Sequence, residues 1–419
     1  MTPTLMNYGE IVARVGKPVV AVVFGCGDFQ GLALMRGLGR QGIPVIAVAK
    51  AGGEGLRSRY ASEVWHIPDT HLDPEGVIRV VLQIGERLRE QGRCGVLIPN
   101  QDSMVELLCR HREQLEPLFI FHLPDLAIIQ ACSDKQVQCR LARELGVPLP
   151  NTYFEDERER LFADIAAGRQ GFPVVFKPRK ELPPSLRKRF RIVVIHDLEQ
   201  LKSTLAEASA AGIFYLVQDV IPGEDAAIHI FGSYINPKGE LKASFTGCKL
   251  RQQPPRFGVT RVAESRRVDV LVEDGLKLLR GLRFFGISGV EFKYDSRDGK
   301  YKLIEINPRA CAWTALPIGM KVNLAYAFFC DALGLEIPFQ PMPDLKAVYI
   351  SLFDDLYWSL KARDGRPWVH LFRGYDLIVE AYYAPDDRLP GLIHFKRRTV
   401  MFAAMAGRGL LRKLGLNKS

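Results

Sequence analysis

The sequence predicts an α/β and α+β protein of more than one domain. Three observations carry that expectation: a βαβ unit around a glycine turn near the start, a long middle run of mixed strands and helices without an internal repeat, and a late β-hairpin with acidic residues on one face. At 419 residues the chain can hold about two or three domains with cores of their own. Its 47% hydrophobic and 25% charged content is ordinary for a globular protein.

The βαβ unit reads as a buried strand at 18–24, a turn from Gly25 to Gly31, a helix to Gly39 and a second strand at 44–49. Gly25, Gly27 and Gly31 precede the helix, so free N–H groups there suit an anionic substrate. Asn100 and Asp102, following a strand at 96–99, would line the same crevice. As a dinucleotide fingerprint the turn is poor. Its glycines are spaced GxGxxxG, and Lys50 stands where an NAD-binding unit carries an acid.

In the middle run, 126–143 reads as a helix closed by Gly146-Val-Pro-Leu-Pro150. A strand at 172–178 leads through a charged loop at 179–190 to a strand at 191–195. A helix at 200–210, a strand at 214–221 and strands at 226–231 and 241–249 follow, then a helix at 266–282. The hairpin spans 287–309. With Asp298 at the centre of its turn, Glu291 faces Glu305 and Asn307 faces Gly289. Alternation then groups Glu291, Glu305, Asn307 and Arg309 on one face, with Val290, Phe292, Ile304 and Ile306 on the other. Two opposed carboxylates repel. A hard cation would relieve this, and Glu, Glu and Asn are ligands that Mg²⁺ accepts. Arg309 offers a planar fork to a phosphate or carboxylate. A solvated hairpin face is the competing reading.

After residue 335 the composition changes. Residues 338–343 read as a linker, and 336–419 as an extension outside the main chemistry. Residues 396–419 combine seven cations with Val400, Met401, Phe402, Met405, Leu410, Leu411, Leu414 and Leu416, and hold no acid. Such a segment can make peripheral contact with an anionic membrane or pack as a terminal helix on the body. No basic-then-apolar leader is apparent, and apolar runs such as 19–24 and 400–406 are too short to span a bilayer. Eight scattered cysteines without CxxC spacing read as free thiols, so a cytoplasmic location is expected. The net charge of +10 is concentrated in the tail and in 177–191. Without aromatic interleaving or a nucleic-acid module, no nucleic-acid partner is expected.

Lys135 opens a helix after Ser133-Asp134, Lys177 ends an apolar strand, and Leu216-Val-Gln-Asp-Val-Ile-Pro-Gly-Glu-Asp225 runs from a strand into a polar turn. In this order, with the late Glu…Glu-x-Asn-x-Arg, the chain resembles the ATP-grasp superfamily of ATP-dependent ligases over roughly residues 18–335. Glu305-Ile-Asn-Pro-Arg309 is the most specific part. Gly247-Cys-Lys-Leu-Arg251 and Gly289-Val-Glu-Phe-Lys293 also fit the carboxylate–amine ligase branch that includes D-aspartate ligase.

The resemblance implies a Rossmann-like pre-ATP-grasp domain at 1–125, a two-lobed ATP-grasp fold at 126–335 and a C-terminal extension at 336–419. It implies ATP with Mg²⁺ or Mn²⁺ as cofactors. Lys135 and Lys177 would hold the α- and β-phosphates. The backbone of Asp219 and Val220 would bind the adenine edge beside Gln218, with Asp225 on the ribose. Lys249 would approach the terminal phosphates, Glu291, Glu305 and Asn307 would hold the metal, and Arg309 would stabilise the transferring phosphoryl group. The implied reaction joins a small carboxylic acid to an amine, amino acids among them, through an acyl phosphate, with release of ADP and phosphate. Glu264 is a candidate base for the amine. One departure stands out: the family's phosphate-covering loop is rich in Gly or Ser, whereas 179–190 has no glycine. A carboxylase or carbamoyl-phosphate type enzyme is the alternative, but no biotin-carrier segment follows. A non-catalytic ATP-binding regulator would have no need of the full metal set.

Overall fold

The computed structural model describes residues 5–254, 258–362 and 374–413, with side chains as far as residue 402 apart from those of 184 and 362. The first sheet is parallel, in the order β3-β2-β1-β4-β5. Its strands are β1 (Val19–Phe24), β2 (Val45–Ala49), β3 (Ala61–His66), β4 (Cys94–Ile98) and β5 (Phe119–Ile120). β1 and β2 are unbroken runs of buried residues, as a strand covered on both faces requires. The expected βαβ unit is therefore present, with helix Phe29–Gly39 as its crossover.

The second sheet has four strands in the order β6-β9-β7-β8: β6 (Thr152–Phe154), β7 (Val174–Pro178), β8 (Val193–Ile195) and β9 (Tyr215–Asp219). It has a core of its own around Phe176, Leu201, Leu205 and Val217. The third sheet has seven strands in the order β14-β13-β10-β11-β12-β15-β16. They are β10 (Ile228–Ile235), β11 (Leu241–Gln253), β12 (Val259–Ser265), β13 (Gly286–Asp295), β14 (Lys300–Asn307), β15 (Ala347–Ile350) and β16 (Leu377–Glu380). The core of this sheet is continuous with that of the N-terminal unit.

Two expectations need correction. The helix expected over 126–143 is two helices, Leu126–Ser133 and Lys135–Glu144. Asp134 breaks them: its backbone is extended, and its carboxylate accepts from the N–H groups of Gln136 and Val137. Nor do residues 338–343 act as a linker, for the segment that follows them is built into the fold, with β15 and β16 completing the large sheet. Even Gln340, in the stretch read as a linker, exchanges backbone hydrogen bonds with Lys242 and Ser244. The segment also clamps the N-terminal unit. Buried Arg36 pairs with Asp387 at 2.9 Å and donates to the carbonyl of Tyr382, while Ser58 and the N–H of Arg59 donate to the same aspartate.

The C-terminal helix Leu389–Lys413 continues through Gly407 and Gly409. Its inner face docks on the body, with His394 buried and stacked on Tyr382 and with Arg397 paired to Glu54. Leu389, Leu392, Phe395, Val400 and Met401 remain exposed. Leu414 and Leu416 lie outside the described residues. No helix among the described residues is long and apolar enough to cross a membrane.

Candidate active site

A cleft of about 1330 Å³ lies between the four-stranded sheet, the β13–β14 hairpin and the N-terminal unit. The hairpin delivers its acidic face into it. Glu291 pairs with Glu305 and Gly289 with Asn307, as the alternation predicts. The reason is subtler than a regular hairpin. The outer ladder pairs Asp295 with Lys300 and Phe292 with Leu303, and a register shift beyond Phe292 restores the Glu291–Glu305 opposition. That bulge corrects one expectation: Leu303, not Ile304, joins Phe292 in the core, and Ile304 lines the cleft.

The opposed carboxylates are not left to repel. Lys249, from β11, places its Nζ 2.8 Å from Glu291. Burial pushes the Glu305 carboxyl up, but Lys135, Lys249, the Asn307 amide and Lys177 outweigh it, so it stays below the ordinary range. The donor set fits a divalent cation: two carboxylates and the amide oxygen of Asn307 on one wall of a cleft. Arg309 sits one strand step further, its Nε 3.0 Å from Asp102. The hairpin and the N-terminal unit thus meet at a guanidinium–carboxylate pair.

The opposite wall belongs to the four-stranded sheet. Lys177, at the end of β7, is buried, and burial together with nearby Lys135 brings its ammonium down to about 8. Gln218, Asp219 and Val220 line the far end of the same cleft. Antiparallel pairing of β7 with β9 places Asp219 beside Val174 and Leu216 beside Lys177. Distance along β7 therefore separates a polar-backbone end from a cationic end. Lys293 donates to the carbonyls of Ile221 and Gly223, tying the hairpin to this wall.

Several expected residues stand elsewhere. Asp225 does not line the cleft; its carboxylate accepts from the N–H and side-chain amide of Gln252, and Glu224 lines the cleft instead. Glu264 is engaged by Arg266 and by the Tyr375 hydroxyl, and it too lies outside the cleft. Gly25, Gly27, Gly31 and Asn100 sit behind the cleft wall, and of the expected substrate residues only Asp102 reaches it. The turn is already filled. Asp28 caps the helix, accepting from the N–H groups of Gln30 and Gly31, so the helix end holds a carboxylate of its own. The loop after β2 packs backbone to backbone against the turn: a Cβ on Gly53 would stand 2.2 Å from the Gly27 Cα. The glycines serve that approach, and Gly25 alone of the three has a left-handed φ, 71°. Asn100 is fully buried beside Gly25.

Two residues that sequence reasoning missed fix the geometry. Gln138, buried on helix Lys135–Glu144, accepts from the N–H of Ile306 at 3.0 Å and so sets Lys135 against Glu305. Arg179 donates from Nε to both oxygens of Asp134, and its carbonyl accepts from the N–H of Lys135, joining the ends that carry Lys135 and Lys177. Their signal is weak in sequence, since each acts on backbone or on a capping residue distant along the chain.

No family model matches the chain. Over 281 residues it is 25% identical to D-aspartate ligase of Enterococcus faecium (strain Aus0004), covering 63% of this chain and 65% of the relative. It thus spans just under two thirds of that relative's length. Among solved structures it is similar to N5-carboxyaminoimidazole synthetase from Staphylococcus aureus complexed with ADP, at a TM-score of 0.60 and 14% identity, covering 84% of this chain and 87% of that one. The chain has the ATP-grasp fold. Other ATP-grasp structures agree. The biotin carboxylase domain of Hydrogenobacter thermophilus 2-oxoglutarate carboxylase, in complex with MgADP, ADP and bicarbonate, gives a TM-score of 0.60 at 16% identity, covering 78% of this chain and 73% of that one. L-amino acid ligase from Bacillus licheniformis gives 0.54 at 14% identity, covering 77% and 75%. At these identities the solved structures establish the ATP-grasp fold alone.

Proposed function

We propose that this ATP-grasp protein is an ATP-dependent carboxylate–amine ligase that forms an amide through an acyl phosphate and releases ADP and phosphate. The observation that carries the reading is the convergence of Glu291, Glu305, Asn307 and Arg309 with Lys135 and Lys177 on one cleft. Likeness to a D-aspartate ligase supports a carboxylate and an amine, amino acids among them, as the joined partners.

The residues divide the work. Gln218, Asp219 and Val220 present the adenine-binding edge, and Lys135 and Lys177 take the α- and β-phosphates at the cationic end. Glu291, Glu305 and Asn307 would hold Mg²⁺, which when bound supplies charge neutralisation of the phosphates. Lys249, now on Glu291, is placed to turn to the terminal phosphate. An oxygen of the substrate carboxylate attacks the γ-phosphorus as the bond to the ADP oxygen breaks. Arg309 is positioned to offset the charge on the transferring group. The amine then attacks the acyl carbon, the phosphate leaves with the C–O bonding electrons, and the nitrogen loses a proton.

The test is ADP release by the purified protein with Mg²⁺ against panels of carboxylates and amines, with the product identified by mass spectrometry. An amide formed in step with ADP supports the reading. ADP formed only with bicarbonate would favour the carboxylase alternative.

A further inference from the structure

The stretch that departs most from an ATP-grasp pattern is 179–190. Backbone N–H cradling of phosphates favours glycine, because successive amides must point at one anion. This stretch has none and instead contains helix Pro184–Phe190. The helix has a buried side. Leu182, Leu186 and Phe190, four residues apart, pack into the separate core of the four-stranded sheet, with the Phe190 ring 6.2 Å from that of Phe176. The base is pinned as well, by Arg179 on Asp134. A segment anchored at its base and along one face has lost most of the freedom of a loop.

Fixing that apolar face fixes where the cations go. Arg187 and Arg191, also four apart, line the cleft together with Lys180. Arg191, the C-cap of that helix, stands two residues before β8, whose last rung with β7, Phe176 to Val193, adjoins Lys177. Lys180 and Arg191 have no ion-pair partner among the described residues, and Arg187 is held 2.8 Å from exposed Glu181. The other two cations of the helix, Lys188 and Arg189, are exposed and do not line the cleft, and Arg189 pairs with Glu207. Three cations facing one cleft repel one another unless an anion joins them.

We propose that Lys180, Arg187 and Arg191 cover the terminal phosphates of the nucleotide with side chains, in place of a glycine-rich backbone cradle. The proposal rests on reading the cleft as an ATP site. Side-chain coverage differs from backbone coverage in two measurable ways. It can be removed by substitution without altering the main chain, and it concentrates on the outermost phosphate, where a guanidinium binds two oxygens at once. Arg187 would exchange Glu181 for phosphate oxygens on binding.

The experiment is calorimetric binding of ATP, ADP and AMP with Mg²⁺ to the full chain and to Arg187→Ala, Arg191→Ala and Lys188→Ala, at two ionic strengths. Melting curves monitor folding. Each cleft-facing substitution should weaken ATP by about tenfold or more, ADP less and AMP hardly at all. The salt dependence of ATP binding should flatten in the same variants, and Lys188→Ala should match the parent. Parent-like ATP affinity in both arginine variants would overturn the proposal while leaving the ATP site intact. Equal losses for ATP and AMP would overturn it too, because a damaged fold does not distinguish phosphate number. Failure of the unaltered chain to bind ATP would bring down the underlying reading along with the cover.

Discussion

The glycine turn at 25–31 and the hairpin at 286–307 look alike as candidate ligand sites, yet the structure treats them oppositely. Each combines a defined element with polar groups that lack an obvious partner in sequence. At the turn the helix start is claimed from within: Asp28 takes the N–H groups of Gln30 and Gly31, and the backbone of Gly53 and Gly55 fills the space before it. At the hairpin the acidic face opens on the cleft, and its carboxylates are compensated by the Asn307 amide and by lysines whose ammonium groups can turn elsewhere. The difference teaches that a motif becomes a site when the rest of the chain leaves it room. A turn whose donors are spent is a packing device, whatever its glycine count.

The comparison breaks most sharply at the hairpin. Glu305→Ala should lower ADP release by at least about 10³-fold, the scale of losing a group that organises transition-state charge. The melting temperature should change little. Turnover close to that of the parent would return the hairpin to the solvated-face reading.

At the turn the opposite signature is expected. Gly53→Val puts a side chain where 2.2 Å separates a would-be Cβ from the Gly27 Cα, so it should cost about 3 kcal/mol in unfolding or more. Whatever fraction folds should bind ATP normally. If Gly53→Val melts like the parent but loses its acceptor substrate, the turn is a site after all and the contrast fails.

A smaller effect is expected at Lys177. Lys177→Ala should weaken ATP binding by about 1–3 kcal/mol, the range for a charge-assisted hydrogen bond. The pH dependence has a definite sign. Because the ammonium of Lys177 is brought down to about 8, it loses its charge as pH rises through that value. ATP affinity should therefore fall above about pH 8, and binding there should take up a proton. Arginine at this position should flatten the profile, since a guanidinium stays charged. A profile unchanged by Lys177→Arg would assign the titration to another group.

The C-terminal helix poses the same question of filled against open at the smallest scale. Its inner face is spent on Tyr382 and Glu54, while Leu389, Leu392, Phe395 and Val400 face outward beside Lys396. Each basic residue near an anionic bilayer adds about 1 kcal/mol of attraction that fades with salt. Co-sedimentation with phosphatidylserine vesicles that exceeds that of a chain ending at Pro390, with an excess that vanishes at high salt, would mark the outer face as open to a membrane. Equal retention would leave the helix a purely structural element.

The sequence by itself determined the local periodicities and the order of chemical groups. Unbroken apolar strands specified a parallel sheet, and alternation specified that the acidic hairpin residues share a face, because both depend on backbone geometry over a few residues. The order Lys135, Lys177, Lys249, Glu291, Glu305, Asn307, Arg309 was legible through its resemblance to the ATP-grasp superfamily. Only the tertiary structure decided what fills each space. It put Gly53 into the glycine turn, Gln252 onto Asp225 and Arg266 onto Glu264. It also placed Ala347–Ile350 and Leu377–Glu380 in the large sheet, the first by pairing with a segment some eighty residues away. Such contacts depend on volume and burial summed over the whole molecule, which no window of sequence contains.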